Sequence, residues 1–179
     1  MNRNSPLFDL SAEKSSTYST LANDLTPTHS MTSRDSLNSP QFATSPPHAE
    51  TVPWPGQKFA IRSQTSGRVI TLVEGELRME DNLGEQGGWH WVCVEKNGWL
   101  GFRSPVSGTY MGHNGRGGFV AAVKHHKSYE YFCTRRHPDG GYLLLMKHGD
   151  DLWKMDVGEE GHDLIETKGD GTVWDFVKV

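Results

Sequence analysis

The feature that most constrains this chain is a repeated step in which two short segments meet at a Ser-Gly turn. Phe102-Arg103-Ser104-Pro105-Val106-Ser107-Gly108-Thr109-Tyr110 is its clearest copy. Ile61-Arg62-Ser63-Gln64-Thr65-Ser66-Gly67-Arg68-Val69 lies 41 residues earlier. Leu145-Met146-Lys147-His148-Gly149-Asp150-Asp151-Leu152-Trp153 lies 43 residues later and aligns without a gap. A period of about forty residues, present three times, specifies an internal repeat. The rest of the chain agrees with it. Leu77, Phe119 and Leu164 hold matching places in the third segment of each unit. The fourth segment reads aromatic, polar, aromatic, apolar: Trp89-His90-Trp91-Val92, Tyr129-Glu130-Tyr131-Phe132 and Trp174-Asp175-Phe176-Val177.

Beyond Gly56, short alternating runs are separated by Gly, Asn and Asp, which is the signature of strands and not of helices. Unit one is expected to hold strands at 58–63, 68–73, 76–80 and 90–95. Unit two places them at 100–104, 109–113, 118–123 and 130–135, and unit three at 142–147, 152–157, 163–167 and 173–179. A single unit has no second layer to bury its aromatics, and three units are too few for separate propeller blades. Closing the sheet on itself removes the exposed edges. The expected architecture is therefore all-β: a β-trefoil, with a six-stranded barrel from the first and fourth strands of each unit. The second and third strands form three hairpins that cap one end. On this reading Trp91, Tyr131 and Phe176 meet around the pseudo-threefold axis, and alanine at any of them costs ~3–5 kcal/mol.

The domain is expected over residues 53–179. Residues 1–52 differ in kind: they are rich in Ser and Thr and interrupted by Pro6, Pro27, Pro40, Pro46 and Pro47. Their scattered apolar residues bury too little area to offset chain entropy, so a disordered tail is expected. Ser5-Pro6, Thr26-Pro27, Ser39-Pro40 and Ser45-Pro46 are candidate phosphorylation sites within it. Val52-Pro53-Trp54-Pro55-Gly56 closes the tail as a stiff lead-in whose indole is expected to pack on the domain. A net charge of −4 gives no electrostatic reason to expect nucleic acid or an anionic membrane. No apolar run approaches the ~20 residues of a membrane helix. The first residues lack the apolar stretch of a secretory signal, so a cytoplasmic address is expected. Cys93 and Cys133 are then free thiols, read as half-buried small hydrophobes. Lys178 takes their matching place in unit three, which puts that place toward the barrel end.

Arg62-Ser63…Ser66-Gly67 and Arg103-Ser104…Ser107-Gly108-Thr109-Tyr110-Met111, followed by a glycine-hydrophobic third strand and an aromatic fourth, carry a family likeness. Over about residues 57–179 the chain resembles the fascin-like, actin-crosslinking β-trefoils. It is also similar to small fungal proteins with one such domain behind a Ser/Thr/Pro-rich leader. That second likeness lies in Gly98-Trp99-Leu100-Gly101-Phe102-Arg103, Gly140-Gly141-Tyr142-Leu143-Leu144-Leu145-Met146 and Val173-Trp174-Asp175-Phe176-Val177-Lys178-Val179. The resemblance implies a non-enzymatic binding module whose partner is actin or another cytoskeletal protein. Unit three departs from the pattern, with Met146 in place of Arg and Asp150-Asp151 in place of Ser-Gly. Physics accounts for the motif without invoking function. Gly67 and Gly108 supply a positive φ, Ser66 and Ser107 bond local backbone, and Arg62 and Arg103 anchor a nearby carbonyl or carboxylate.

The alternative ligand is carbohydrate, because ricin-type lectins share the trefoil architecture, although their Gln-x-Trp signature does not occur in this sequence. Trp99, Arg103, Tyr110, Tyr142 and Trp153 are the candidate ligand- or partner-binding residues. No catalytic, cofactor or metal site is expected, since neither His-Glu-x-x-His nor Cys-x-x-Cys occurs. His113, His125, His126, His137, His148 and His162 are read as solvated loop or strand-end residues; His125 and His126 point to opposite faces of an extended segment. Gly115-Arg116-Gly117-Gly118 joins two strands and reads as a hairpin tip, because a phosphate loop needs a strand leading into a helix. A hydrolase inhibitor acting through one loop is a third reading, with no reactive residue to identify it. The oligomeric state is left open.

Overall fold

The structure, a computed structural model, describes residues 51–81, 83–85 and 87–179. The expected tail and its phosphorylation sites lie outside the described residues, save for Thr51 and Val52. Unit one contributes β1 (Lys58–Ser63), β2 (Val69–Val73), β3 (Glu76–Glu80) and β4 (Trp91–Lys96). Unit two contributes β5 (Trp99–Arg103), β6 (Tyr110–His113), β7 (Phe119–Val123) and β8 (Phe132–Arg136). Unit three contributes β9 (Tyr142–His148), β10 (Asp151–Val157), β11 (Leu164–Thr167) and β12 (Val173–Lys178). A 3-10 turn at Ser128–Glu130 stands where the fourth strand of unit two is expected to begin.

The barrel closes as the repeat demands. Within each unit the first and fourth strands pair: β1 with β4, β5 with β8, β9 with β12. Between units β4 pairs β5, β8 pairs β9, and β12 returns to β1. All these pairings are antiparallel, and the ring leaves none of the six strands with a free edge. Hairpins β2–β3, β6–β7 and β10–β11 form the cap. They are tied to one another by the Glu76–Val120 pairing, the Gly118–Ile165 bridge and the Met79 amide donating to the His162 carbonyl at 2.8 Å. This is the β-trefoil.

The core shows where the ungapped repeat fails. Three cross-strand pairs of the barrel are wholly buried: Ile61 with Phe176, Phe102 with Cys93, and Met146 with Phe132. Phe102 sits 5.7 Å from both Phe132 and Phe176, so these three rings fill the centre. The inward residue of β9 is thus Met146 and not Leu145. A slip of one residue sends each side chain of a strand to the opposite face, and β8 slips with its partner. Phe132 therefore takes the central place expected of Tyr131, which is only half-buried. Trp91 and Phe176 are wholly buried, as expected, but the place that matches Phe176 in unit one is held by Cys93 and not by Trp91. The same register corrects the cysteines: Phe176, not Lys178, is the counterpart of Cys93. Cys93 lies in the dry centre, Cys133 one residue off the inward face, and both are free thiols.

The turns follow local chemistry in units one and two. Gly67 and Gly108 adopt φ of 74° and 73°. The Ser63 and Ser104 hydroxyls accept the amides of Ser66 and Ser107, while Ser66 and Ser107 accept those of Arg68 and Thr109. In unit three β9 runs on to pair His148 with Asp151, so Gly149-Asp150 makes a two-residue turn. The chain before the barrel differs from expectation. Pro53 is buried, but the Trp54 indole is 67% exposed and does not pack on the domain. One ring flanked by two prolines ahead of β1 has no second layer to turn into.

Candidate functional site

The sequence-predicted residues divide among three places. Trp99 and Tyr110 join a ladder of rings on unit two. Trp99 stacks on Tyr131 at 5.7 Å with planes 2° apart, and Tyr131 meets His126 edge-on at 5.1 Å. His126 in turn stacks on Tyr110 at 5.4 Å. Arg103, opposite Tyr110, donates through Nε to the Gly108 carbonyl at 3.1 Å, bracing its own turn. Tyr142 is not a surface ring: it is buried at the start of β9 and packs against Phe176. Five consecutive residues of β9, Tyr142 to Met146, are buried. Such an apolar run marks a strand covered on both faces. Trp153 lies in the third place, stacked on His148 at 4.2 Å with planes 11° apart.

That third place was not legible as a site. His113 ends β6 and His148 ends β9, with ring centroids 5.1 Å apart. Glu166 reaches both from β11: His113 Nδ1 lies 3.3 Å from Oε1, and His148 Nδ1 lies 2.9 Å from Oε2. The Glu166 side chain is wholly buried and that of His113 nearly so. These atoms are close, yet none makes a hydrogen bond: both Nδ1 atoms and both carboxylate oxygens are buried without a partner of hydrogen-bond geometry. Above them opens a cleft of about 370 Å³ bordered by His113, Gly115, Ser128, Tyr129, Lys147, His148 and Gly149. Tyr129 is 54% exposed, and its ring packs on His113 at 4.4 Å. Lys168 Nζ lies 4.7 Å above the Trp153 ring.

The slip in unit three builds this site. Ser63 and Ser104 lie two residues beyond Ile61 and Phe102; His148 lies two beyond Met146. Where units one and two cap a longer turn with a serine hydroxyl, unit three presents an imidazole at the end of a longer strand. Glu166 carried a readable signal. It lies two residues after the buried Leu164 on β11, so strand alternation puts a carboxylate on the inward face. Of the histidines expected to be solvated, His113 and His126 are buried. Burial holds the His126 imidazole below its ordinary pKa, although the Leu100 and Glu130 backbone contacts oppose this.

The other features resolve structurally. Asp175 accepts Arg62 at 2.9 Å and Gln64 at 2.7 Å, so the polar cleft of about 390 Å³ beside Asp139 has its carboxylate satisfied. The Gly115–Gly118 tip is organised by Asn114, whose Oδ1 accepts the amides of Arg116 and Gly118. It is a hairpin tip, as its position between two strands implies.

No family model matches the chain, and no curated protein matches it in sequence. Solved structures share its fold. The ricin B-like lectin of Macrolepiota procera, described in complex with lactose, is 17% identical with a TM-score of 0.57, over 72% of this chain and 100% of that one. SeviL, described bound to an asialo-GM1 saccharide, is 15% identical with a TM-score of 0.55, over 69% of this chain and 96% of that one. A GlcNAcα1-4Gal-releasing endo-β-galactosidase from Clostridium perfringens is 13% identical with a TM-score of 0.60, over 69% of this chain. The chain spans about a third of that enzyme's length, 32%. These likenesses are of β-trefoil fold; they do not show the fascin-like identity expected from the repeat.

Proposed function

We propose that this β-trefoil is a carbohydrate-binding module, acting by binding and not by catalysis, with its saccharide site in the cleft bordered by Tyr129. The observation that carries the reading is the cleft itself. An exposed aromatic ring stands beside imidazole, hydroxyl and ammonium groups around about 370 Å³ of open space. A sugar ring needs an apolar platform for its C–H face and polar groups to fix its hydroxyls. The volume falls at the small end of the ligand-site range of ~300–1,000 Å³, which suits one or two sugar residues. The ricin B-like lectin described in complex with lactose, and SeviL, described bound to an asialo-GM1 saccharide, lend support through shared fold. Actin, the partner implied by the fascin-like resemblance, rests on that resemblance alone.

A glycan array followed by calorimetric titration with lactose tests the proposal. Binding is expected, and Tyr129→Ala should abolish it without moving the thermal midpoint. A blank array, together with no heat from lactose, would overturn the reading. Pelleting of the domain with F-actin at low salt would instead support the cytoskeletal one.

A further inference from the structure

We propose that His113, His148 and Glu166 form a binding site for a borderline divalent cation, zinc foremost, at the floor of this cleft. The inference stands on the three side chains and does not depend on whether the cleft takes a saccharide.

The argument begins with Glu166. A carboxylate whose oxygens are buried and accept no hydrogen bond is among the least tolerable groups a fold can contain. An imidazole that served it as a hydrogen-bond donor would aim its N–H along the N···O line. His148 Nδ1 comes within 2.9 Å of one oxygen and His113 Nδ1 within 3.3 Å of the other, yet neither has that alignment. Close approach without alignment is what results when atoms converge on a common centre instead of on one another. One ligand atom from each residue lies within 4.8 Å of the others. Around a tetrahedral zinc with bonds of ~2.0–2.1 Å, neighbouring ligand atoms stand roughly 3.3 Å apart. The two His–Glu separations, 2.9 and 3.3 Å, already lie near this spacing, and the three ligand atoms all fall within 4.8 Å of one another.

The donor set selects the ion. Two imidazole nitrogens and one carboxylate oxygen suit zinc, whereas magnesium and calcium take all-oxygen cages and softer ions take thiolates. Three protein ligands leave a fourth position open, and His113 and His148 both border the cleft into which it would face. Each imidazole packs against an aromatic ring, His148 on Trp153 and His113 on Tyr129. Such support pre-sets ligand orientation. The site also joins repeats, with His113 from unit two and its partners from unit three, so an ion there would pin two cap hairpins together.

The test is titration of the EDTA-treated full chain with zinc chloride by calorimetry. Cobalt is used in parallel to read visible d–d bands. One equivalent of zinc is expected to bind, with cobalt giving the intense bands of a four-coordinate site. The thermal midpoint should rise with zinc and not with magnesium. His148→Ala and Glu166→Gln should each weaken zinc binding by more than about 100-fold. His125→Ala and His162→Ala, on exposed histidines, should leave it unchanged. Tyr129→Ala, which only loosens the orientation of His113, should weaken zinc by about 10-fold or less, well short of the ligand variants, even where it removes saccharide binding. His148 is half-exposed, so its alanine variant retains the fold and keeps the test decisive if Glu166→Gln misfolds. No stoichiometric binding, or wild-type affinity in His148→Ala, would overturn the proposal.

Discussion

The His126 ring occupies the space that any side chain at Gly101 would need. A Cβ at Gly101 would lie 2.6 Å from His126 Nε2 and 2.8 Å from Cε1. The ring cannot retreat, because Tyr110 stacks on it, Tyr131 meets it edge-on and Nε2 contacts the Leu100 carbonyl at 3.2 Å. Gly101→Ala is therefore expected to cost ~1–3 kcal/mol by overpacking, read as a lower urea midpoint. Gly158→Ala, where contacts begin at 3.6 Å, should stay within about 0.5 kcal/mol of wild type. Equal stability of the two variants would contradict the packing described.

His126 also predicts an acid sensitivity. Burial lowers its folded pKa below the unfolded value of ~6.5, outweighing the Leu100 and Glu130 contacts that raise it; nearby Lys96 lowers it further. Between the two values the unfolded chain holds more protons than the folded one, so stability rises with pH across that window. The contribution is complete above the unfolded pKa and lost as pH falls toward the folded one. Urea midpoints at pH 7.5 and 5.5 should fall more for wild type than for His126→Asn. Parallel losses would remove His126 as a source of the effect.

Tyr131 and Phe132 separate the two possible registers of β8. Phe132 is wholly buried against Phe102 and Met146, whereas Tyr131 is half-exposed on Trp99. Phe132→Ala is expected to cost ~3–5 kcal/mol. Tyr131→Ala should cost roughly 1–2 kcal/mol, mostly the lost stacking and partial burial. Chemical denaturation of both variants measures the difference, and the reverse ranking would place the slip elsewhere.

The Cys93 thiol should be inert while the protein is folded. Burial, with a smaller push from Glu95, raises its pKa to about 12, so almost no thiolate exists at neutral pH. An aromatic disulfide reagent at pH 8 should leave Cys93 unlabelled in the native state and modify it promptly in guanidinium. Mass mapping of the modified peptide checks this. Rapid native labelling of Cys93 would mean that the barrel opens.

The fold was legible because its evidence is repeated. Strand alternation, turn glycines and apolar places recur in each unit, so an error at one position is outvoted by the others. The strand positions and the assignment of first and fourth strands to the barrel followed from that redundancy. What one copy does alone could not be read the same way. Met146 looked like a replaced arginine because the comparison assumed no gap, and the same assumption put Tyr131 inside and His148 outside. The cluster of His113, His148 and Glu166 depends on that slip and joins residues from two repeats, so no local spacing announces it. The alternation of Leu164 and Glu166 was the one available sign. Trp54 shows the opposite limit, since a large apolar ring does not by itself specify what it packs against.

The pairing of β1 with β12 bears on how the molecule is made. Arg62 on β1 and its partner Asp175 on β12 are 113 residues apart, so the first strand leaves the ribosome long before the strand that completes its neighbourhood. At ~5–20 residues per second this is a wait of roughly 6–23 s. During it the nascent β1 presents a half-paired edge with Phe59 and Ile61 uncovered. A barrel without free edges when finished is therefore one whose seam stays open until nearly the last codon of the domain, and nascent-chain chaperones would meet it there.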